Sequence, residues 1–329
     1  MSAPPEDSGP PAPGPERALR LGTRASALAL AQSGMMARAL TAATGRPVEL
    51  VHVTTYGDTS RESLSVIGGT GVFVNALRDA LYAGEIDFAV HSLKDLPTAA
   101  PEGLHLAAVS ERAAVNDALV ARDGLKLADL PAGARVGTGA ARRMALLKMI
   151  RPDLEVVPIR GNVDTRVNFV RSGRLDAVLV AFAGLQRLGR DEEATEVLDP
   201  EIMLPSPGQG ALAVECRDAD LVGLLAVLDH RLTRAAVVAE RTMLAVLEAG
   251  CSAPVGGHAV ALDDNVLSLT GVVATVTGSR GLRLSATGTV GDAEGLGRRV
   301  AEGLLAEGAA EIMASAQIMA SAQIVEAGQ

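Results

Sequence analysis

Twice in succession this chain alternates short apolar runs with helix-patterned stretches, and that repetition restricts its folds more than any other feature. Residues 19–22 read as a strand, and Ser26 as the N-cap of a helix over 27 to about 41. A β-branched strand follows over 48–54, then a polar, Gly-containing loop over 56–70. A helix over 72–83 and a buried strand over 86–90 ending at His91 complete the first unit. The second unit has strands at 118–120, 135–137, 155–159 and 175–181, with helices over 140–150 and 163–172 between them. A β-α-β-α-β order predicts mainly parallel sheets with helices on both faces, and two such units in tandem predict a cleft between them.

The apolar segment 204–215, which holds Pro205, Pro207, Gly208 and Gly210, reads as a return to the first unit. From Asp229 the pattern changes to one long amphipathic helix over 231–249, short strands over 260–289 and a last helix over 294–310. The reading is therefore two hinged, doubly wound α/β domains and a smaller α+β C-terminal domain. Domain 1 takes 18–112 and 204–226, domain 2 takes 113–203 and domain 3 takes 227–311, between a disordered tail at 1–17 and a tail at 312–329. That last tail repeats Ile-Met-Ala-Ser-Ala-Gln from Ile312 and again from Ile318, too few copies to build a solenoid, and reads as a helical or frayed tail without function.

With 48% hydrophobic but only 2% aromatic residues and no Trp, the cores must be built from Ala, Val and Leu. No apolar run approaches the ~18 residues of a membrane span, and the Pro- and Gly-rich start carries no apolar signal segment. The expectation is a cytoplasmic protein with no membrane partner. The net charge of −9 does not suggest a nucleic-acid partner. Two Cys fit a reducing compartment, and the five scattered His show no metal-ligand spacing.

Arg24, Arg142, Arg143, Arg160 and Arg166 all fall where a strand gives way to a loop or helix. Open α/β sheets bind ligands outside the carboxyl ends of their strands, and Arg grips carboxylates in a bidentate fashion. Together the five suggest a cleft for a polycarboxylate; singly, each reads equally well as a surface residue. Asp95, beside Lys94 in His91-Ser92-Leu93-Lys94-Asp95, either caps a turn before Pro97 or stabilises a cation at the ligand end of the sheet. Cys216 ends an apolar strand as a small buried residue. Cys251, in Gly250-Cys251-Ser252-Ala253-Pro254, fits that bland reading less well.

The ordered set of motifs resembles the hydroxymethylbilane synthase (porphobilinogen deaminase) family. It comprises Leu21-Gly22-Thr23-Arg24-Ala25-Ser26, Gly68-Gly69-Thr70-Gly71-Val72-Phe73, His91 to Pro97, Gly137 to Arg143, Ile159-Arg160-Gly161-Asn162-Val163-Asp164-Thr165-Arg166, Pro207-Gly208-Gln209-Gly210-Ala211 and Gly250-Cys251. The resemblance implies two domains hinged as in periplasmic binding proteins. It implies a covalent dipyrromethane cofactor on Cys251 through a thioether, and head-to-tail condensation of four porphobilinogen molecules with loss of ammonia. By the same resemblance Arg142, Arg143 and Arg166 pair with cofactor carboxylates, with Lys94 and Thr138 nearby. Arg24, Ser26, Arg160 and Arg187 engage incoming pyrroles, Asp95 is the catalytic carboxylate, and the protein is a monomer.

The chain departs from the family pattern at three places. Thr70 stands where Lys is frequent, Gly139-Ala140 replace a Ser pair, and Val115-Asn116-Asp117-Ala118 replace Pro-Arg-Asp-Ala. A rival reading is a bilobal solute binder; another is a Cys251 thiolate enzyme, for which no His stands in an obvious base position.

Overall fold

The structure, a computed structural model, describes residues 17–53, 71–250 and 253–314. The expected N-terminal tail up to residue 16, the 56–70 loop with Thr70, Cys251 and the chain beyond 314 lie outside the described residues.

Strand β1 (Leu19–Thr23) leads into helix α1 (Ala27–Thr44), whose N-cap is Ser26, as expected: its hydroxyl accepts from the Ala29 N–H at 3.4 Å. The helix runs on past Thr41 because the first residue able to turn the chain is Gly45, at φ 74°. Strand β2 (Val48–His52), helix α2 (Gly71–Tyr82), strand β3 (Phe88–Ser92) and strand β4 (His105–Val109) follow. The second unit holds β5 (Asp117–Ala121), β6 (Arg135–Thr138), α3 (Ala141–Ile150), β7 (Glu155–Pro158), α4 (Val163–Arg171), β8 (Ala177–Ala181), α5 (Phe182–Arg187) and β9 (Glu196–Val197). The chain then gives β10 (Leu212–Cys216) and the short helix α6 (Asp220–Leu225).

Both five-stranded sheets share one plan. The first has the order β2-β1-β3-β10-β4 and the second β7-β6-β8-β5-β9. In each, three parallel strands stand beside an antiparallel strand, β10 or β5, with a further strand outside it. Cys216 ends β10, fully buried, as expected of it. The expected α/β class with two sheet-and-helix units and a smaller C-terminal unit is what the structure shows. The cores are mostly aliphatic: Leu21, Leu40 and Leu212, with Phe88 among them, fill the first, and Leu119, Leu147 and Leu179 part of the second. Each such buried Leu contributes about 2 kcal/mol.

The third unit is an antiparallel sheet of β11 (Val255–Ala261), β12 (Val266–Ala274) and β13 (Gly281–Thr289), packed against α7 (Arg231–Val246) and α8 (Ala293–Ala306). Its last two strands are longer than the short runs expected, and the sheet begins at Val255 rather than 260. Helix α7 ends at Val246, three residues short of the expected 249, where Glu248 takes a left-handed φ of 52°. Of the tail expected over 312–329 to be helical or frayed, residues 312–314 are described and are helical. The helix resumes over 309–314, and Ile312, 2% exposed, enters the third core. An isolated apolar residue in a repeat is indistinguishable by sequence from a solvated one until a sheet face is there to receive it.

Candidate active site

Lys94 and Asp95 form a single 3₁₀ turn, Leu93–Asp95, directly after β3. Backbone pairing of the Leu93 N–H with the Ala211 carbonyl, at 3.0 Å, holds this turn against the entry to β10. Beneath it, Glu215 of β10 receives Arg78 of α2 in a two-point grip at 2.8 and 3.1 Å, and His91 Nε2 lies 3.2 Å away. Burial pushes the Glu215 carboxyl up, but His91 and Arg78 outweigh it and hold its pKa down at about 2. The strand end carrying the candidate catalytic residues is thereby tied to the helix behind it.

Arg142 and Arg143 stand in the first turn of α3, as expected, but they are not surface cations reaching for a ligand. They are 4% and 3% exposed, and both are held by Asp117 at the start of β5. Arg142 donates to Asp117 Oδ2 at 2.8 Å and to the Leu204 carbonyl at 2.6 Å; Arg143 donates to Asp117 Oδ1 at 2.7 Å and to the Leu179 carbonyl at 3.0 Å. Burial raises the Asp117 pKa, yet the two guanidiniums prevail and hold it well below the usual carboxylate range. A charged residue leading a fully buried strand must be paired; that was the available signal, and only the replaced motif around Asp117 drew notice to it.

Gln209 is the other residue that received no role from sequence. Its Nε2 donates to Asp117 Oδ1 at 2.8 Å and to the Val115 carbonyl at 2.7 Å, while its Oε1 accepts from Lys94 Nζ at 3.2 Å. It enters this position from a turn flanked by Gly208 and Gly210, at φ 77° and 90°. A Cβ on Gly210 would lie 2.5 Å from the Ala113 carbonyl, so the turn requires glycine there. Burial lowers the Lys94 pKa to about 8, with Asp95 partly opposing it.

Thr138, fully buried at the end of β6, accepts the Ala140 N–H at 3.3 Å. Arg166 of α4 donates to the Gly161 carbonyl at 2.9 Å; burial and then the charge of Arg143 lower its pKa to about 10, against the pull of Asp95. Those mutual fields place Lys94, Asp95, Arg143 and Arg166 in one locus. Arg187 ends α5 and donates to the Gly210 carbonyl at 2.6 Å, with its pKa lowered to about 10 by burial. Arg24 and Ser26 lie half-buried between β1 and α1. Arg160 is exposed after β7 and lines a cavity of ≈ 290 Å³ with Arg135, Arg174 and Phe169.

Two donors in this locus, Arg143 Nε and Arg187 Nε, are buried with no hydrogen-bond partner among the described residues. The cations gathered there outnumber the carboxylates, which fits a ligand rich in carboxylates. No group of three or more His, Cys, Asp or Glu among the described residues could hold a metal.

Residues 19–222 match the family model described as porphobilinogen deaminase, dipyromethane cofactor binding domain, and residues 234–306 match porphobilinogen deaminase, C-terminal domain. The chain is 60% identical over 312 residues to "Porphobilinogen deaminase 1" of Streptomyces coelicolor, covering 91% of this chain and 98% of that one. It is 56% identical over 307 residues to "Porphobilinogen deaminase" of Thermobifida fusca, covering 90% and 96%. Among solved structures, an ABC transporter periplasmic substrate-binding protein from Coxiella burnetii is 15% identical with a TM-score of 0.41, covering 64% of this chain and 91% of that one.

Proposed function

The chain belongs to the porphobilinogen deaminase family, and from that premise we infer how its own residues carry the reaction. It is a porphobilinogen deaminase (hydroxymethylbilane synthase), a transferase of tetrapyrrole biosynthesis with a dipyrromethane cofactor-binding domain. In this reading Cys251 holds the dipyrromethane through a thioether. When bound, that group supplies the pyrrole carbon to which each incoming ring is joined. Porphobilinogen brings two carboxylates per ring, which accounts for the concentration of guanidiniums.

Arg166 makes the direct grip on the acetate and propionate arms, and Arg143, held by Asp117 and the Leu179 carbonyl, contributes chiefly its charge. Arg142, engaged by Asp117 and the Leu204 carbonyl, contributes chiefly its charge, while Thr138 and Lys94 bound the same space. Arg24, Ser26 and Arg187 receive incoming rings, and Arg160 meets the growing chain at the margin. Asp95 stabilises positive charge arising on a pyrrole nitrogen, since a carboxylate held in a fixed turn does so with little reorganisation. The gathering of four cations, Lys94, Arg142, Arg143 and Arg166, around only two carboxylates, Asp95 and Asp117, is the observation that carries this assignment.

The same proposal sets domain limits at 18–112 with 204–226, 113–203 and 227–311, supported by the place of β10 in the first sheet. It includes a cytoplasmic monomer whose partners are small acidic pyrroles, with neither nucleic acid nor membrane. No helix among the described residues is long and apolar enough to cross a membrane. Intact mass of the purified protein tests the reading. The expected mass exceeds that of the sequence by two pyrrole units, and Cys251→Ser removes the increment. A bare sequence mass, even after supply of porphobilinogen, overturns it.

A further inference from the structure

Glu240 lies on α7 with no exposed surface, in the third unit rather than in either unit that forms the cleft. Its carboxylate accepts four hydrogen bonds. Arg112 donates from Nη1 at 2.6 Å and Nη2 at 3.0 Å, the Gly208 N–H donates at 2.6 Å, and the Ala259 N–H at 2.7 Å. Arg112, on the segment leading from the first unit to the second, also donates from Nε to the Gln209 carbonyl at 2.9 Å. The Gly208 N–H on one side of the turn and the Gln209 carbonyl on the other are thus both fixed by the Glu240–Arg112 pair. With its backbone pinned, Gln209 reaches Lys94 of the first unit and Asp117 of the second at once.

We propose that Glu240 is a positioning residue for the condensation. Acting through Arg112 and the Gly208–Gln209 peptide, it sets where Lys94 stands beside Asp95 and where Asp117 holds Arg142 and Arg143. One carboxylate thereby brings all three units into register at the reacting locus. The helix that bears it ends at Val246, five residues before Cys251 in the sequence. A buried ion pair retained for stability alone needs no such arrangement, because apolar residues of similar volume replace such pairs with little loss. Here the carboxylate also takes backbone N–H groups from two separate segments, and its partner takes a backbone carbonyl.

The test separates positioning from support. Glu240→Gln is expected to lower kcat by about tenfold or more with KM changed less than about twofold, while intact mass still shows the cofactor increment. The double variant Glu240→Gln with Arg112→Gln removes both charges while leaving an amide oxygen for the backbone N–H groups and an amide N–H for the Gln209 carbonyl, and is expected to recover the thermal midpoint without recovering kcat. In a Gln209→Asn background, Glu240→Gln is expected to add less than about a twofold further loss, because residues acting through one another are not additive. Recovery of kcat together with the thermal midpoint in the double variant overturns the proposal. Fully multiplicative losses in the Gln209→Asn background overturn it as well. Should Glu240→Gln not fold, the double variant alone decides. The inference rests on the site assignment above, and Asp95→Asn in the same assay tells the two apart: unimpaired turnover there sinks the assignment itself.

Discussion

A carboxylate buried between two guanidiniums and a half-exposed one beside them have opposite uses. Asp117 is fully committed to Arg142, Arg143 and Gln209, so its role is to hold them. Asp117→Asn leaves two buried cations short of a counter-charge and is expected to cost about 3–5 kcal/mol in urea unfolding. Asp95 has no such internal debt. Asp95→Asn is expected to keep the fold and the covalent increment yet lose most steady-state ammonia release. Lys94 adds a pH signature. Its pKa is lowered to about 8, so its charge is lost as pH rises through that value. If the cation is needed, kcat declines on an alkaline limb near pH 8, and Lys94→Arg, which stays charged, removes that limb in a pH–rate profile.

Turns decide what the elements can offer. At the junction of β6 and α3, a Cβ on Gly139 would sit 2.5 Å from the Ile159 carbonyl, which accounts for glycine where the family pattern has Ser. Gly139→Ser is therefore expected to strain the turn that presents Arg142 and Arg143, lowering stability by about 1–3 kcal/mol in thermal unfolding. Much of this layout was readable beforehand. Ser26 announced α1, and alternating runs announced the three parallel strands of each sheet, though not the antiparallel pairing that completes it. What stayed hidden was pairing between distant segments. Asp117 and Gln209 are 92 positions apart and Arg112 and Glu240 are 128 apart, and no local pattern marks such partners. Helices α5 and α6 escaped notice because each spans only six residues, less than two turns, too few for a helical period to stand out, and strand β4 was missed as well.

At the scale of the molecule, the buried acids tie stability to pH. Glu215, with an ordinary pKa of 4.5 and a folded value of about 2, contributes stability that is complete above 4.5 and is lost as pH falls towards 2. Asp117, also held low, acts in the same direction. Urea midpoints measured between pH 5 and pH 2 are expected to fall steadily, with a shallower slope in Glu215→Gln. The order of strands carries a different consequence. Strand β10 lies between β3 and β4, although it follows the whole second unit in the chain. As the polypeptide leaves the ribosome, β4 has no neighbour on its inner side until Cys216 has emerged. The first-made lobe is therefore the later to finish, and the nascent chain must keep a sheet gap open while roughly a hundred further residues are added.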